Sequence, residues 1–354
     1  DHVSFDCKEG EFFSIVGPAG AGKTTVLKMV AGIEEITAGT IYFDNRPVNE
    51  LPPQERDVAM AFETYNLYPH FSVYENIAFP LRAPRRTERL SPQDERQRVE
   101  EIAHFLGITP LLKRRPTELS GGEKQRVCLA RVMVRKPRVF LLDEPIAHLD
   151  ARLKFSTQTA LKRLSSRLGT TIIYVTHDYR EALGLSDRVA VLRKGVIEQI
   201  GRPEDVYHTP STDFVARFIG DPPMNLIDGE VITRDQKTFF TAGDDFTIQV
   251  QQSLIASAEE AACQEGDRRP VRLGIRSSHI TVSRERISDN SFQLPVYAIA
   301  RSPQGPLCTF ELRHSFLQAN IREGVLYDMS EKLWVDFDQD HLLFFVKTME
   351  ISKK

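Results

Sequence analysis

The run Gly17-Pro18-Ala19-Gly20-Ala21-Gly22-Lys23-Thr24 carries the spacing G-x-x-x-x-G-K-[ST], whose chemistry is phosphate binding. Its glycines let backbone N–H groups turn inward around phosphate oxygens, and a helix beginning after Gly22 adds the positive end of its dipole. Lys23 can reach β and γ phosphates, and Thr24 can give its hydroxyl to Mg²⁺. The expected binding set is Gly17, Gly20, Ala21, Gly22, Lys23, Thr24 and Thr25, with ATP and Mg²⁺ as the implied ligands.

A second constellation supplies the hydrolytic groups. Val139-Phe140-Leu141-Leu142-Asp143-Glu144 reads as a buried strand ending in two carboxylates where the chain leaves its sheet. Asp143 is placed to hold Mg²⁺ through water, and Glu144, pointing to the other side, to polarise a water for in-line displacement at the γ-phosphate. Alone, such a pair is more often two solvated acids. A phosphate loop upstream on the same sheet makes the catalytic reading the stronger one. His177, in Val175-Thr176-His177-Asp178 directly after another apolar run, could donate a hydrogen bond to the γ-phosphate from the same sheet edge.

Such groups converge only on a scaffold that brings several strand ends to one edge. From residue 11 to about 219, apolar runs of strand length alternate with longer segments of helical period, predicting an α/β layout around a largely parallel sheet. Residues 11–16, 139–142 and 171–175 are the expected core strands, and the opening Val3-Ser4-Phe5 also reads as strand. A more helical stretch at about 72–136 reads as an inserted subdomain, with a helix capped by Ser91-Pro92 inside it. At Gly220-Asp221-Pro222-Pro223 the texture changes to short β-prone runs such as 271–275 and 333–337, which predict a small barrel. The expected domains are therefore 1–220 and 221–354.

Bulk properties agree with this plan. A length of 354 residues favours two domains. A net charge of −3 with both signs interspersed lacks the broad basic field that drives nucleic-acid binding, so no nucleic-acid partner is expected. No run reaches the roughly 18 apolar residues of a membrane-spanning helix, and no secretory leader is read, so membrane association is expected to run through a partner. The opening at Asp1 rather than Met suggests that a native N-terminal segment is missing. Cys7, Cys128, Cys263 and Cys308 lie far apart without zinc-site spacing and read as reduced cytosolic thiols, Cys128 as a small buried hydrophobe.

Between the two phosphate motifs, Leu119-Ser120-Gly121-Gly122-Glu123-Lys124-Gln125-Arg126 closely resembles the LSGGQ signature of ATP-binding cassette (ABC) proteins. Ser120 suits an N-cap, and the glycine pair allows close backbone approach at a helix start. A plain capped helix would explain the serine but not the glycines. Asn66-Leu67-Tyr68-Pro69-His70, Met224-Asn225-Leu226 and Leu273-Gly274-Ile275-Arg276 extend the likeness to sugar-importer ATPases of the maltose and glycerol-3-phosphate type, over nearly the whole chain. The resemblance implies an ABC-type P-loop NTPase domain with an inserted helical subdomain, followed by a small all-β, OB-like (TOBE/MOP-like) domain used for regulation and dimer contacts. It further implies that two cassettes pack head to tail, so that Ser120, Gly121 and Gly122 contact the γ-phosphate bound by the other subunit, with Asp150 in the dimer-contact loop. The implied partners are a second ATPase subunit, identical or not, two integral membrane permease subunits and an extracytoplasmic solute-binding protein. The implied place is the cytoplasmic face of the inner membrane, and the implied task is uptake of a carbohydrate or polyol.

Several positions depart from that family's pattern. Ala19 stands where a phosphate-contacting Ser is usual, and Ala147 and His148 replace Ser-Asn before Asp150. Glu63 stands where the family has a glutamine that senses Mg²⁺ and contacts the membrane subunits; a carboxylate keeps the metal-ligating oxygen and loses the amide donor. The aromatic that stacks on adenine would lie before Asp1. These departures support an alternative, a mainly regulatory, weakly hydrolysing subunit paired with a non-identical ATPase. The intact Lys23, Asp143, Glu144 and His177 support catalysis.

Overall fold

The computed structural model describes residues 2–62, 66–82, 90–147, 149–234, 237–243, 246–256, 268–302, 305–312, 315–324 and 327–346. The expected metal-site residue Glu63, together with His148 and Cys263, lies outside them. The chain divides into two compact units, Asp1–Val206 and Tyr207–Lys354.

The first unit runs β1 (Phe12–Val16), α1 (Lys23–Ala31), β2 (Tyr42–Phe43), β3 (Arg46–Pro47), β4 (Val58–Ala61), α2 (Val73–Ala78), α3 (Pro92–Phe105), α4 (Gly121–Met133) and β5 (Val139–Asp143). It continues with α5 (Ala151–Leu168), β6 (Thr171–Thr176), α6 (Tyr179–Leu185), β7 (Arg188–Arg193) and β8 (Val196–Gly201), and α7 (Pro203–His208) crosses the boundary. Six strands form one sheet in the order β4-β5-β6-β1-β7-β8, parallel except at the β7/β8 pair. β1, β5 and β6 are apolar along almost their whole length because both sheet faces are covered. Phe13, Ile15, Leu141, Ile173 and Val175 pack with Leu27 of α1 on one face. Phe12, Phe140, Leu142 and Tyr174 pack with Ile77, Val99, Val127 and Leu161 of the other helices. The register sets Val16 beside Thr176 and Asp143 beside Val175, so the ends of β1, β5 and β6 are level at one edge.

Helix starts follow from their caps. Ser72, Ser91 and Ser120 accept the N–H groups of Glu75, Asp94 and Glu123, and the Ser72 and Ser120 caps are reciprocated by the glutamates. α1 differs: its N-cap is Gly22, at φ 100, with no side-chain cap. It stops at Gly32, at φ 77, where the buried Arg56 guanidinium donates to the carbonyls of Met29, Val30, Leu51 and Asn49. A cation at a helix C-terminus meets the negative end of the dipole. The expected strand at residues 3–5 is not formed. Phe5 stacks on Phe13 with ring centroids 5.1 Å apart, and Val3 and Phe5 pack on the core. Both edges of β1 are already taken by β6 and β7, which leaves residues 3–5 no ladder to join there.

In the second unit α8 (Asp213–Phe218) precedes β9 (Asn225–Arg234), β10 (Lys237–Thr241), β11 (Thr247–Val250), α9 (Gln252–Ala256), β12 (Arg268–Ile275), β13 (Ile280–Ser283) and β14 (Phe292–Ser302). β15 (Gly305–Leu312), β16 (Ser315–Asn320), β17 (Lys332–Phe337) and β18 (Leu343–Val346) complete it. Two antiparallel five-stranded sheets, β11-β10-β9-β12-β18 and β13-β17-β14-β15-β16, enclose one core. β10, β11 and β17 alternate buried and more exposed residues, which turns Phe240, Ile248, Leu333 and Val335 inward. The Asn225 amide joins the sheets by giving its N–H to the Gln318 carbonyl (2.8 Å) and taking the Gln318 N–H (2.7 Å). At Gly274 an added Cβ would lie 2.7 Å from the Phe345 ring and 2.8 Å from the Met224 sulfur, so any side chain there would have to displace both.

The division into compact units falls between Val206 and Tyr207, which sets residues 207–220 with the strands that follow. Ala216 of α8 packs with Met224 and Phe345, and Asp213 pairs with Arg272, so α8 belongs with the β unit. Cys7, Cys128 and Cys308 are free thiols, Cys128 buried. Among the described residues no helix is long and apolar enough to cross a membrane.

Candidate active site

The loop after β1 is shaped by backbone constraints. The Ala21 N–H donates to the Pro18 carbonyl (3.2 Å) and the Gly195 N–H to the Ala21 carbonyl (2.9 Å), while Gly20 (φ 75) and Gly22 (φ 100) occupy the left-handed region. Gly17 admits no side chain, since a Cβ would collide with the Leu192 carbonyl. The uncapped start of α1 therefore presents its first N–H groups as an anion cradle. Lys23 is 6% exposed and its Nζ donates to the carbonyls of Gly17 (3.0 Å) and Pro18 (3.1 Å), which folds the ammonium back over the loop. Thr25 and Ala19 are exposed on the same loop and first turn.

The end of β5 supplies the acids. Asp143 is buried, and its Oδ1 accepts the Thr24 hydroxyl at 3.1 Å. A hydroxyl and a carboxylate are an all-oxygen donor pair, which fits a hard cation such as Mg²⁺. Glu144 continues the sheet through its N–H to the Val175 carbonyl (2.9 Å) but has φ 45, a left-handed conformation that costs a non-glycine residue about 1–3 kcal/mol. Its carbonyl, which accepts the Gln125 side-chain amide (3.3 Å) and the Ala147 N–H (3.2 Å), ties this turn to α4. The turn sends the two carboxylates different ways. Glu144 Oε1 lies 3.9 Å from Lys23 Nζ, and Oε2 lies 2.8 Å from His177 Nδ1. Residues following three separate strands thus meet.

A brace behind β6 is not visible in the sequence. Glu181, only 3% exposed, accepts the hydroxyls of Tyr174 (2.7 Å) and Thr176 (2.8 Å), and it pairs with Lys154 of α5 at 3.2 Å. Burial, and the Glu181 carboxylate beside it, push the Tyr174 phenol well above its ordinary range, so it remains a neutral donor. The network holds the strand end that carries His177. In sequence Glu181 looks like any acid in the first turn of a helix, as Gln125 looks like any polar residue of α4.

The residues expected to face a second subunit stand apart. Ser120 and Gly121 are exposed and Gly122 is half-buried against Leu149. Ser120 bonds within its own capping box, and Asp150 caps α5 through the Leu153 N–H at 2.9 Å. Their described hydrogen bonds stay within their own helix starts. Within one chain the structure joins Lys23, Thr24, Asp143, Glu144 and His177, and it adds none of Ser120, Gly121, Gly122 or Asp150 to them through those bonds.

Known proteins resemble this chain in sequence and fold. The ABC transporter family model matches residues 1–147, and the MalK OB fold domain model matches residues 220–280. The trehalose/maltose import ATP-binding protein MalK of Thermococcus litoralis is 50% identical over 66% of this chain, an alignment spanning 63% of that protein. The sn-glycerol-3-phosphate import ATP-binding protein UgpC of Yersinia enterocolitica is 46% identical over 81% of this chain and 75% of its own length. For the xylose/arabinose import ATP-binding protein XacK of Haloferax volcanii the values are 44%, 86% and 75%. Among solved structures, a dimeric ATP-binding cassette in a post-hydrolysis state with ADP and Pi superposes at a TM-score of 0.53 with 32% identity, covering 56% of this chain and 88% of that one. On these matches the chain belongs to the import ATP-binding proteins of the ABC transporter family and is an ABC-type ATPase.

Proposed function

We propose that this chain binds and hydrolyses MgATP at the site described above and couples that cycle to uptake of a carbohydrate or polyol. The observation that carries the reading is the meeting of Lys23, Glu144 and His177 at one sheet edge, beside the Thr24–Asp143 pair. Backbone N–H groups of the loop receive phosphate oxygens, and Lys23 exchanges its loop carbonyls for the β and γ phosphates. Mg²⁺, when bound, neutralises phosphate charge; Thr24 and Asp143 would hold it, with Glu63 expected as a further oxygen donor. Glu144 takes a proton from the attacking water as the bond to the β–γ bridging oxygen breaks. His177 orients that carboxylate through Nδ1, so donating from Nε2 to the γ-phosphate as well requires the imidazolium form.

In the proposed assembly two ATPase subunits pack head to tail, and Ser120, Gly121 and Gly122 of each close on the γ-phosphate of the other, beside Asp150. The exposure of Ser120 and Gly121 supports this. Two integral membrane permease subunits hold the dimer at the cytoplasmic face of the membrane, and an extracytoplasmic binding protein delivers the solute. The import proteins named above for maltose, glycerol-3-phosphate and pentoses support the solute class. The β domain, expected from 221, acts in regulation and dimer contacts. Among the described residues Lys23, Asp143, Glu144 and His177 stand together, which supports hydrolysis over the weakly hydrolysing alternative.

The test is ATP hydrolysis by the chain reconstituted with its permease pair and binding protein. A carbohydrate or polyol should stimulate turnover. Hydrolysis stimulated only by solutes of another class refutes the solute assignment, and no hydrolysis in the complete assembly refutes the catalytic one.

A further inference from the structure

Three side chains able to ligate a metal meet in the second unit, away from any phosphate motif. His279 closes the 3-10 turn Ser277–His279, Asp338 follows β17, and His341 closes the 3-10 turn Gln339–His341. One ligand atom from each lies within 4.8 Å of the others. The sheet builds this juxtaposition. β13 and β17 pair Ile280 with Phe337, and one step beyond the ladder the Asp338 N–H donates to the His279 carbonyl at 3.0 Å. Asp338 Oδ1 accepts the Asp340 N–H at 3.2 Å, which orients the carboxylate. Its Oδ2 lies 2.8 Å from His341 Nδ1 and 3.9 Å from His279 Nδ1. The two imidazoles stack with centroids 3.7 Å apart and planes 11° apart.

We propose that His279, Asp338 and His341 form a binding site for a divalent first-row transition metal of the zinc type. Zinc bonds of about 2.0–2.1 Å at tetrahedral angles set neighbouring ligand atoms about 3.3 Å apart, a spacing that the 2.8 Å and 3.9 Å separations bracket. The near-parallel rings must each turn about χ2 before their lone pairs converge. His341 is 46% exposed and His279 25%, so both rings reach solvent and neither has to turn inside a closed core. Two imidazoles with one carboxylate suit Zn²⁺, Co²⁺, Ni²⁺ or Cu²⁺, whereas Mg²⁺ and Ca²⁺ take oxygen ligands. The ladder bond and the Asp340 N–H are the outer support that fixed ligands need, and three protein ligands leave a position for water or another group. Turn capping by itself accounts for the Asp338–His341 contact, which spans three residues. It does not account for a second imidazole, from a segment distant in sequence, facing the same oxygen.

The experiment is calorimetric titration of the tag-free, nucleotide-free full chain with Zn²⁺ at about pH 7.5, above the ordinary imidazole pKa of about 6.5. One equivalent should bind, Co²⁺ in its place should give a tetrahedral d–d absorption, and Zn²⁺ should raise the melting temperature. His279→Ala and His341→Ala should each weaken binding by at least about tenfold. His177→Ala, which removes the imidazole of the nucleotide site, should leave Zn²⁺ affinity unchanged. Asp338→Asn preserves shape and carries the same test if an alanine variant melts early without metal. No stoichiometric binding by the wild-type chain, or binding that survives both histidine variants and Asp338→Asn, overturns the site. Loss of binding in His177→Ala alone assigns the ion to the nucleotide site and overturns it as well.

Discussion

Glu144→Gln perturbs the hydrolytic geometry with the least collateral change. Glutamine has the same shape, so the turn at φ 45 and the backbone bonds to Val175, Gln125 and Ala147 should persist. The amide oxygen can still accept from His177 Nδ1, now 2.8 Å from Oε2, so the two strand ends stay joined. What disappears is the charge and basicity. Lys23 Nζ, 3.9 Å from Oε1, loses an anionic neighbour and is left to the phosphates, so ATP affinity should hold or rise. Water loses its proton acceptor, and a missing general base removes about 10²–10⁴ in rate, or about 2.7–5.5 kcal/mol of transition-state stabilisation. Steady-state hydrolysis with the permease partners present measures the first quantity, and equilibrium binding of a fluorescent ATP analogue the second. ATP should also trap a closed dimer detectable by size-exclusion chromatography. Turnover near that of the wild type would remove Glu144 from the general-base role. Parallel loss of binding and turnover would instead make it a residue that shapes the loop.

Other consequences follow from the same contacts. Glu181→Ala strands the buried Tyr174 hydroxyl and unpairs Lys154, and it should lower unfolding stability in urea by about 2–4 kcal/mol; a loss below about 1 kcal/mol would contradict the brace. Arg56→Ala removes the donors to four carbonyls around the end of α1, with an expected cost of about 2–4 kcal/mol in the same assay and little effect if those carbonyls are hydrated instead. Gly274→Ala forces a methyl against Phe345 and Met224 and should cost about 1–3 kcal/mol in the second unit while sparing ATP binding, which calorimetric melting with and without ATP can separate. Chains ending at 206 and at 220 should both bind MgATP, but the longer one carries the buried Ala216 of α8 without Met224 and Phe345, on which it packs, and should be the less soluble. Equal solubility would argue against placing α8 in the second unit.

Much of this protein is legible along the chain because its phosphate chemistry is local. Gly17 to Thr24 form one loop and one helix start, Asp143 and Glu144 are adjacent, and Ser120 with Glu123 closes its own cap, so residue types and short spacings suffice to name them. Strand runs such as 139–143 are equally readable, since burial on both faces leaves an unbroken apolar stretch. The tertiary structure alone decided which of these pieces touch. β1 lies between β6 and β7, and that order brings Lys23, Glu144 and His177 together; the same crowding keeps residues 3–5 out of β1's ladder. The Glu181 brace, the Arg56 cap, the company of α8 and the meeting of His279 with Asp338 and His341 likewise join residues far apart or visible only as ordinary polar side chains. The physical reason is that dihedral preference and capping act over a few residues. Strand order, burial of a charged group and steric room at a glycine are set by whatever the rest of the chain packs against them.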